Sequence, residues 1–159
     1  MTFRIGYGYD AHRFSASRPL ILGGVHIDYK LGLLGHSDAD VLAHVIMDAL
    51  LGALALGSIG DHFPDSDPAY KGADSMELLN HVRGMIYERG YQICNIDTVI
   101  VAQSPKLQPY ITDIQRSVST CLGIEASQVS IKATTTEKMG PEGRMEGMSA
   151  HATVLLSHN

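Results

Sequence analysis

Asp10 and His12 stand two residues apart, and His44 lies on a separate apolar stretch. An aspartate and two histidines are a donor set for a divalent metal. In extended chain, residues two apart project to the same side, so Asp10 and His12 can face one point together. Neutral imidazole nitrogen and carboxylate oxygen are common zinc donors, and three protein ligands leave one tetrahedral position open. An open position belongs to a metal that does chemistry or holds substrate, whereas structural zinc is normally closed by protein ligands on all sides. The competing reading is plain: most of the eight histidines are expected on the surface or satisfied in the core.

The elements that must position these donors are legible. Ile5, Tyr7 and Tyr9 alternate with Gly6, Gly8 and Asp10, which suits a strand whose glycines permit close backbone approach. Ser37 followed by Asp40 reads as a capping box opening a helix from about Asp38 to Leu56. Val41, Leu42, Val45, Ile46, Ala49, Leu50, Ala53 and Leu54 give that helix its apolar face. Asp40, His44 and Asp48 fall at i, i+4 and i+8 and stack in one polar line. On so apolar a helix that line needs a partner, and a metal would supply one.

Leu20–Leu22 and Val25–Tyr29, broken by Gly23-Gly24, suggest a tight hairpin. Residues 58–68 are dense in Gly, Pro, Asp and Ser and read as a loop, either an active-site cover or a solvated connector. Asp74-Ser75 opens a second helix that Gly90 stops. A β-rich run from Tyr91 to Gln103 is expected to form a central strand ended by Pro105, followed by a third helix from about Leu107 to Leu122 that Gly123 closes. Val129, Ile131 and Ala133 alternate with polar residues in a half-buried strand, Gly140–Gly147 is a glycine-rich turn, and Met148–Leu156 is the last strand. The expected fold is α+β (mixed α/β): a single-domain sandwich over residues 1–159, with a mixed β-sheet carrying helices on one face.

At 159 residues with 45% apolar and 18% charged content, the chain can bury a real core. A net charge of −5 argues against a nucleic-acid footprint, although a phosphorylated substrate stays open because metal ions can supply positive charge. No apolar run has membrane-spanning length without a polar interruption, and Met1-Thr2-Phe3-Arg4 lacks a signal-peptide pattern. Cys94 and Cys121 are expected to be buried free thiols, as in a cytoplasmic protein. Nucleobase deamination is disfavoured because its H-x-E and P-C-x-x-C pair is missing.

Four motifs then fall in register: Gly-x-Gly-x-Asp-x-His at 6–12, His-Ser-Asp-x-Asp at 36–40 with His44, Phe-Pro-Asp-x-Asp at 63–67, and Lys-Ala-Thr-Thr-Thr-Glu-Lys at 132–138. Over essentially its whole length the chain resembles the 2-C-methyl-D-erythritol 2,4-cyclodiphosphate synthases of non-mevalonate isoprenoid biosynthesis. The resemblance implies an intramolecular phosphoryl transfer that releases CMP from 4-diphosphocytidyl-2-C-methyl-D-erythritol 2-phosphate. Such a substrate brings its own nucleophile, which fits the lack of any Ser-His-Asp or Cys-His constellation.

By the same resemblance, Asp10, His12 and His44 hold Zn²⁺ or another divalent transition metal, with a substrate phosphate oxygen as fourth donor. Glu137 holds Mg²⁺ or Mn²⁺ with the diphosphate, and His36 and Thr135 stabilise the transition state. Ser37 contacts substrate as well as capping its helix, and Ser58, Ile59, Gly60, Phe63, Pro64, Asp65, Ser66 and Asp67 close on the methylerythritol. Ala102, Gln103, Ser104, Pro105, Lys106, Leu107 and Gln108 align with the cytidine pocket; Lys106 either contacts phosphate or is an exposed helix-start lysine. Thr134, Thr135 and Thr136, with Pro141 and Arg144, complete the expected substrate contacts. Two departures stand out: Ser58 replaces a common aspartate, and Pro141 occupies a position that is often aromatic. The resemblance further implies a cytoplasmic bacterial homotrimer, with sites built between subunits and no membrane or nucleic-acid partner. The alternatives are a zinc-dependent phosphohydrolase, with Asp40 or Asp48 as base, and a metal-stapled trimeric binding protein.

Overall fold

Gly6 and Gly8 set the geometry of the core. They lie on the inner face of β1 (Thr2–Ser15), against α1 (Val41–Ala53). A Cβ on Gly6 would sit 1.8 Å from the Ala49 carbonyl oxygen, and one on Gly8 would sit 2.1 Å from that of Val45. The helix therefore rests directly on strand backbone, a contact that only glycine allows. We expect Gly6→Ala to destabilise the fold by about 3 kcal/mol or more, because the atoms it would meet, in Ala49 and Ala53, are all backbone. A thermal midpoint within a degree or two of the parent's would contradict this packing.

The structure, a computed structural model, describes residues 1–158. Among the described residues a five-stranded sheet runs β4 (Gly32–Leu33), β1, β7 (Gly147–His158), β5 (Gln92–Val101), β6 (Val129–Thr134). β1 and β5 both pair antiparallel with β7, while β5 and β6 are parallel. The short hairpin β2 (Leu20–Leu22) and β3 (Val25–Ile27) forms as the sequence suggests. α1, α3 (Ser75–Glu88) and α4 (Ile111–Leu122) cover one face of the large sheet. Their inward residues, including Leu42, Ile46, Leu50, Leu79, Val82, Ile86, Ile114 and Val118, meet Ile96, Ile100, Ala150 and Val154 in one core. Because β1 gives its inner face to glycine, its large side chains go outward: Phe3 is 56%, Ile5 72%, Tyr7 60% and Tyr9 52% exposed.

Boundaries differ where a tertiary partner intervenes. α1 begins at Val41 and ends at Ala53, and its cap is Asp40, whose Oδ1 accepts from the Ala43 N–H, rather than Ser37. Asp40 wins because it also accepts the Gly23 and Gly24 N–H groups at 2.9 and 2.8 Å, pinning the hairpin turn to the helix start. The 58–68 loop contains a one-turn helix, α2 (Ile59–His62), and a 3₁₀ turn follows at Pro68–Tyr70. Another 3₁₀ turn, Gln108–Tyr110, precedes α4, so that helix starts later than its pattern implies. The glycine-rich turn carries α5 (Gly140–Gly143). Cys94 and Cys121 are free but only half-buried. Among the described residues no helix is long and apolar enough to cross a membrane.

Candidate metal centre and substrate cavity

The long first strand delivers Asp10 and His12 to one side, and the first turn of α1 delivers His44 beneath them. Asp10 Oδ2 lies 2.8 Å from His12 Nε2 and 3.0 Å from His44 Nδ1, and the two ring nitrogens are 3.1 Å apart. The other atoms of each group are turned away and occupied. His12 Nδ1 donates to the Leu34 carbonyl at 2.9 Å, which leaves Nε2 as a lone pair in the neutral ring. His44 Nε2 faces the hydroxyls of Ser37 and Ser75, and Asp10 Oδ1 accepts the Ala11 N–H. Three acceptor atoms therefore converge on one point.

That arrangement fits a metal ion. Donors around a tetrahedral zinc are about 3.3 Å apart, close to the spacing here. Without a cation the cluster leans on protons. Burial alone would raise the Asp10 carboxyl, but hydrogen bonds and charge from His12 and His44 hold it well below the usual carboxylate range. Burial works against a charged His12, yet the Asp10 carboxylate outweighs it and raises the ring's proton affinity. The Asp10 carboxylate is thereby kept in the ionised form that a metal ligand must have.

The triad forms one wall of a cavity of about 380 Å³. Gly35, His36, Ser37, Met47, Ile59, Gly60, Phe63, Pro64, Asp65, Tyr70 and Leu78 line the rest. Phe63 is held edge-on between Tyr70 and His81, with ring centroids 5.4 and 5.7 Å away, so the loop wall has a fixed aromatic anchor. His36 Nε2 is buried and has no hydrogen-bond partner. No lysine or arginine lines this cavity among the described residues. Arg18 lies behind it, donating to the Gly35 and Ser37 carbonyls and fixing the 35–37 loop.

The polar line Asp40–His44–Asp48 divides by what packs against each member. Only His44 reaches the cavity. Asp40 is fully buried on three N–H groups, and burial pushes its carboxyl up against their pull. Asp48 accepts the Ile59 N–H at 2.7 Å and anchors the start of α2. In the loop, Ser58 is tied to Asp61 Oδ2 through both its N–H and its hydroxyl, Asp67 Oδ1 accepts the Ala69 N–H, and Ser66 is exposed. Ile59, Gly60, Phe63, Pro64 and Asp65 are the loop residues on the cavity wall.

The remaining expected contacts gather elsewhere, at the C-terminal ends of the parallel pair β5 and β6. Ligands in open sheets favour such strand ends. Here Ala102 N–H donates to the Thr134 carbonyl at 3.0 Å, and Lys138 N–H to Gln103 Oε1 at 2.9 Å, joining segment 102–108 to segment 134–138. Leu107 is buried, so it can offer a ligand only backbone; Lys106 and Gln108 are exposed. Thr135 Oγ1 donates to Glu137 Oε1 at 3.4 Å and accepts the Glu137 N–H at 3.2 Å. Glu137 and Lys138 hold left-handed φ values of 52° and 65°, uncommon for non-glycine residues and concentrated at functional sites. Pro141 lines a separate hollow beside Tyr9 and Arg13, and Arg144 pairs with Glu146 at 3.0 Å on the surface. Within one chain, then, Glu137, Thr135 and the 102–108 segment do not line the cavity of the triad.

Sequence reasoning missed Met47, Tyr70 and Leu78 on the apolar wall, and Arg18, Asp38 and Ser75 behind it. Leu78 and Met47 carried only a core signal. Tyr70 directly follows the acidic loop and offered a weak one.

Fold and site together define a small α+β protein with a candidate divalent-metal triad at the edge of a cavity that, among the described residues, no lysine or arginine lines. Residues 3–157 match the model of the YgbB family, and the chain belongs to that family. It is 58% identical over 156 residues to the 2-C-methyl-D-erythritol 2,4-cyclodiphosphate synthase of Thermosynechococcus vestitus, covering 98% of this chain and 97% of that one. The bifunctional IspDF of Campylobacter jejuni superposes with a TM-score of 0.96 at 44% identity; the match covers 99% of this chain, which spans 43% of that longer protein. IspF of Plasmodium falciparum, solved as a CDP complex, superposes with a TM-score of 0.87 at 37% identity over 99% of this chain and 97% of that one.

Proposed function

We propose that the chain is a cyclising lyase of non-mevalonate isoprenoid biosynthesis. It converts 4-diphosphocytidyl-2-C-methyl-D-erythritol 2-phosphate to 2-C-methyl-D-erythritol 2,4-cyclodiphosphate and CMP. The observation that carries this reading is the convergence of Asp10, His12 and His44 on a cavity without lysine or arginine, in a chain so similar to a synthase of that name. A diphosphate entering such a cavity needs positive charge from outside the protein.

An oxygen of the substrate's 2-phosphate attacks the β-phosphorus, the bond from that phosphorus to the CMP oxygen breaks, and CMP leaves with the electron pair. Zn²⁺, or another divalent transition metal, on Asp10, His12 and His44, with Mg²⁺ or Mn²⁺ on Glu137, would neutralise the phosphates that must approach one another. The residues position and exclude. Ser37 and the His36 ring, whose Nε2 lacks a protein partner, face the reacting phosphates, and Thr135 donates to developing charge at the far side. Phe63, Pro64 and Asp65, with the Ile59 and Gly60 backbone, hold the methylerythritol; Ser58, Ser66 and Asp67 shape that loop. Segment 102–108, including Gln103, Ser104, Pro105 and Lys106, receives the cytidine beside Thr134 and Thr136, with Pro141 and Arg144 at its border.

These two halves serve one substrate if copies of the chain meet. The outward row Phe3, Ile5, Tyr7 and Tyr9 supports a homotrimer in which this face is covered and the 102–108 and 134–138 segments of one copy complete the cavity of the next. One catalytic domain over residues 1–159, acting in the bacterial cytoplasm without membrane or nucleic-acid partners, completes the reading. A hydrolase is disfavoured because Asp40 and Asp48, the candidate bases, are both committed to backbone N–H groups off the cavity. Phosphorus NMR of the chain with the cytidyl substrate, with and without magnesium, tests the proposal. The expected products are CMP and a cyclic diphosphate, whereas a linear phosphate would mark a hydrolase.

A further inference from the structure

Behind the triad lies a set of polar groups that the proposed reaction leaves unused. His44 meets Asp10 and His12 through Nδ1, so its Nε2 points into the protein, where Ser37 Oγ and Ser75 Oγ each lie 3.1 Å away. A ring that offers its Nδ1 lone pair carries its proton on Nε2, and that proton has one principal acceptor.

The two serines differ in where their own protons go. Ser75 is fully buried, and its hydroxyl donates to Asp38 Oδ1 at 2.5 Å while its N–H donates to Asp38 Oδ2 at 3.0 Å. Its rotor is thereby locked, and the carboxylate makes its oxygen a better acceptor. Ser37 Oγ has no carboxylate behind it; it accepts the Ala39 N–H at 3.2 Å, has only a long 3.4 Å contact to Ser75 Oγ, and lies on the cavity wall. Asp38 is itself fixed, since Oδ1 also accepts the Asp40 N–H at 3.1 Å and the Asp38 N–H donates to the Ala73 carbonyl at 3.1 Å. The carboxylate thus stands between the starts of α1 and α3.

We infer that Ser75, backed by Asp38, is the positioning pair that holds His44 in its Nδ1-ligating tautomer and orientation, leaving the Ser37 hydroxyl proton free for an anionic ligand in the cavity. This rests on the reading of Asp10, His12 and His44 as a metal site. Outer partners of ligating histidines typically contribute about 10–100-fold to metal affinity.

The test is a titration of metal-free chains with Zn²⁺ against a competing chelator and with Co²⁺ followed by its visible absorption. Ser75→Ala removes one oxygen at the first residue of a helix whose cap is Asp74, so it is expected to fold with little change in the metal-free thermal midpoint. It should weaken both metals by about 10–100-fold and alter the Co²⁺ spectrum, while Ser37→Ala stays within about threefold of the parent. Ser75→Thr, which keeps a hydroxyl, should regain most of the affinity. A parent that takes up no metal removes the triad reading and this inference with it. A parent that binds metal while Ser75→Ala binds within about threefold of it overturns the inference alone, as does a Ser37→Ala loss equal to that of Ser75→Ala.

Discussion

His44→Ala is expected to lower CMP release by about three orders of magnitude, the factor that a loss of roughly 4 kcal/mol of transition-state stabilisation produces. The size follows from what the residue does at both ends. Its Nδ1 is one of three atoms that, among the described residues, converge on the triad's centre, and its ring is almost wholly buried between strand and helix. Removing it leaves Asp10 and His12 as a two-donor site whose outer support, the Ser75 hydroxyl, has nothing to orient. Zinc content of the purified variant should fall with activity. The fold should survive, because the helix keeps its Asp40 cap and its apolar contacts. Undiminished CMP release at full metal content would refute the role given to His44, and with it the charge argument for the whole cavity.

Glu137→Gln should separate the two cations. The substitution keeps shape and an oxygen that can accept the Thr135 hydroxyl, yet removes the charge that an oxygen-seeking ion requires. The magnesium concentration for half-maximal rate should rise about tenfold. Zinc content should stay at the parent's level, because Glu137 stands three residues beyond the end of β6 and outside the triad's cavity. Stability should move by less than about 0.5 kcal/mol, as for other exposed positions. If magnesium titrates the variant as it does the parent, another group holds that ion. If zinc is lost too, the two cation sites are not separate.

Much of the site was legible because its signals are local. Asp10 and His12 share a side through the two-residue period of a strand, and that relation survives in any sheet. The helix carrying His44, the hairpin at Gly23-Gly24 and the Asp74 cap are likewise decided by neighbours in sequence. The donor types pointed to a metal with an open position, and the resemblance carried by the four motifs implied cation-assisted transfer.

What the tertiary structure alone decided is which member of a repeated pattern does which work. Asp40, His44 and Asp48 are equivalent on a helical wheel, but the hairpin turn takes the first, the strand the second and the 59–62 turn the third. Ser37 looked like a cap and lost that place to Asp40, whose carboxylate binds helix and hairpin at once. The glycines of the first strand could be read as permissive but not as the seat of a helix, since the clash that demands them comes from Val45 and Ala49, some forty residues away. Sequence spacing determines which groups can act together along one element. Only packing, which sums burial and hydrogen bonding over distant segments, determines which of them meet.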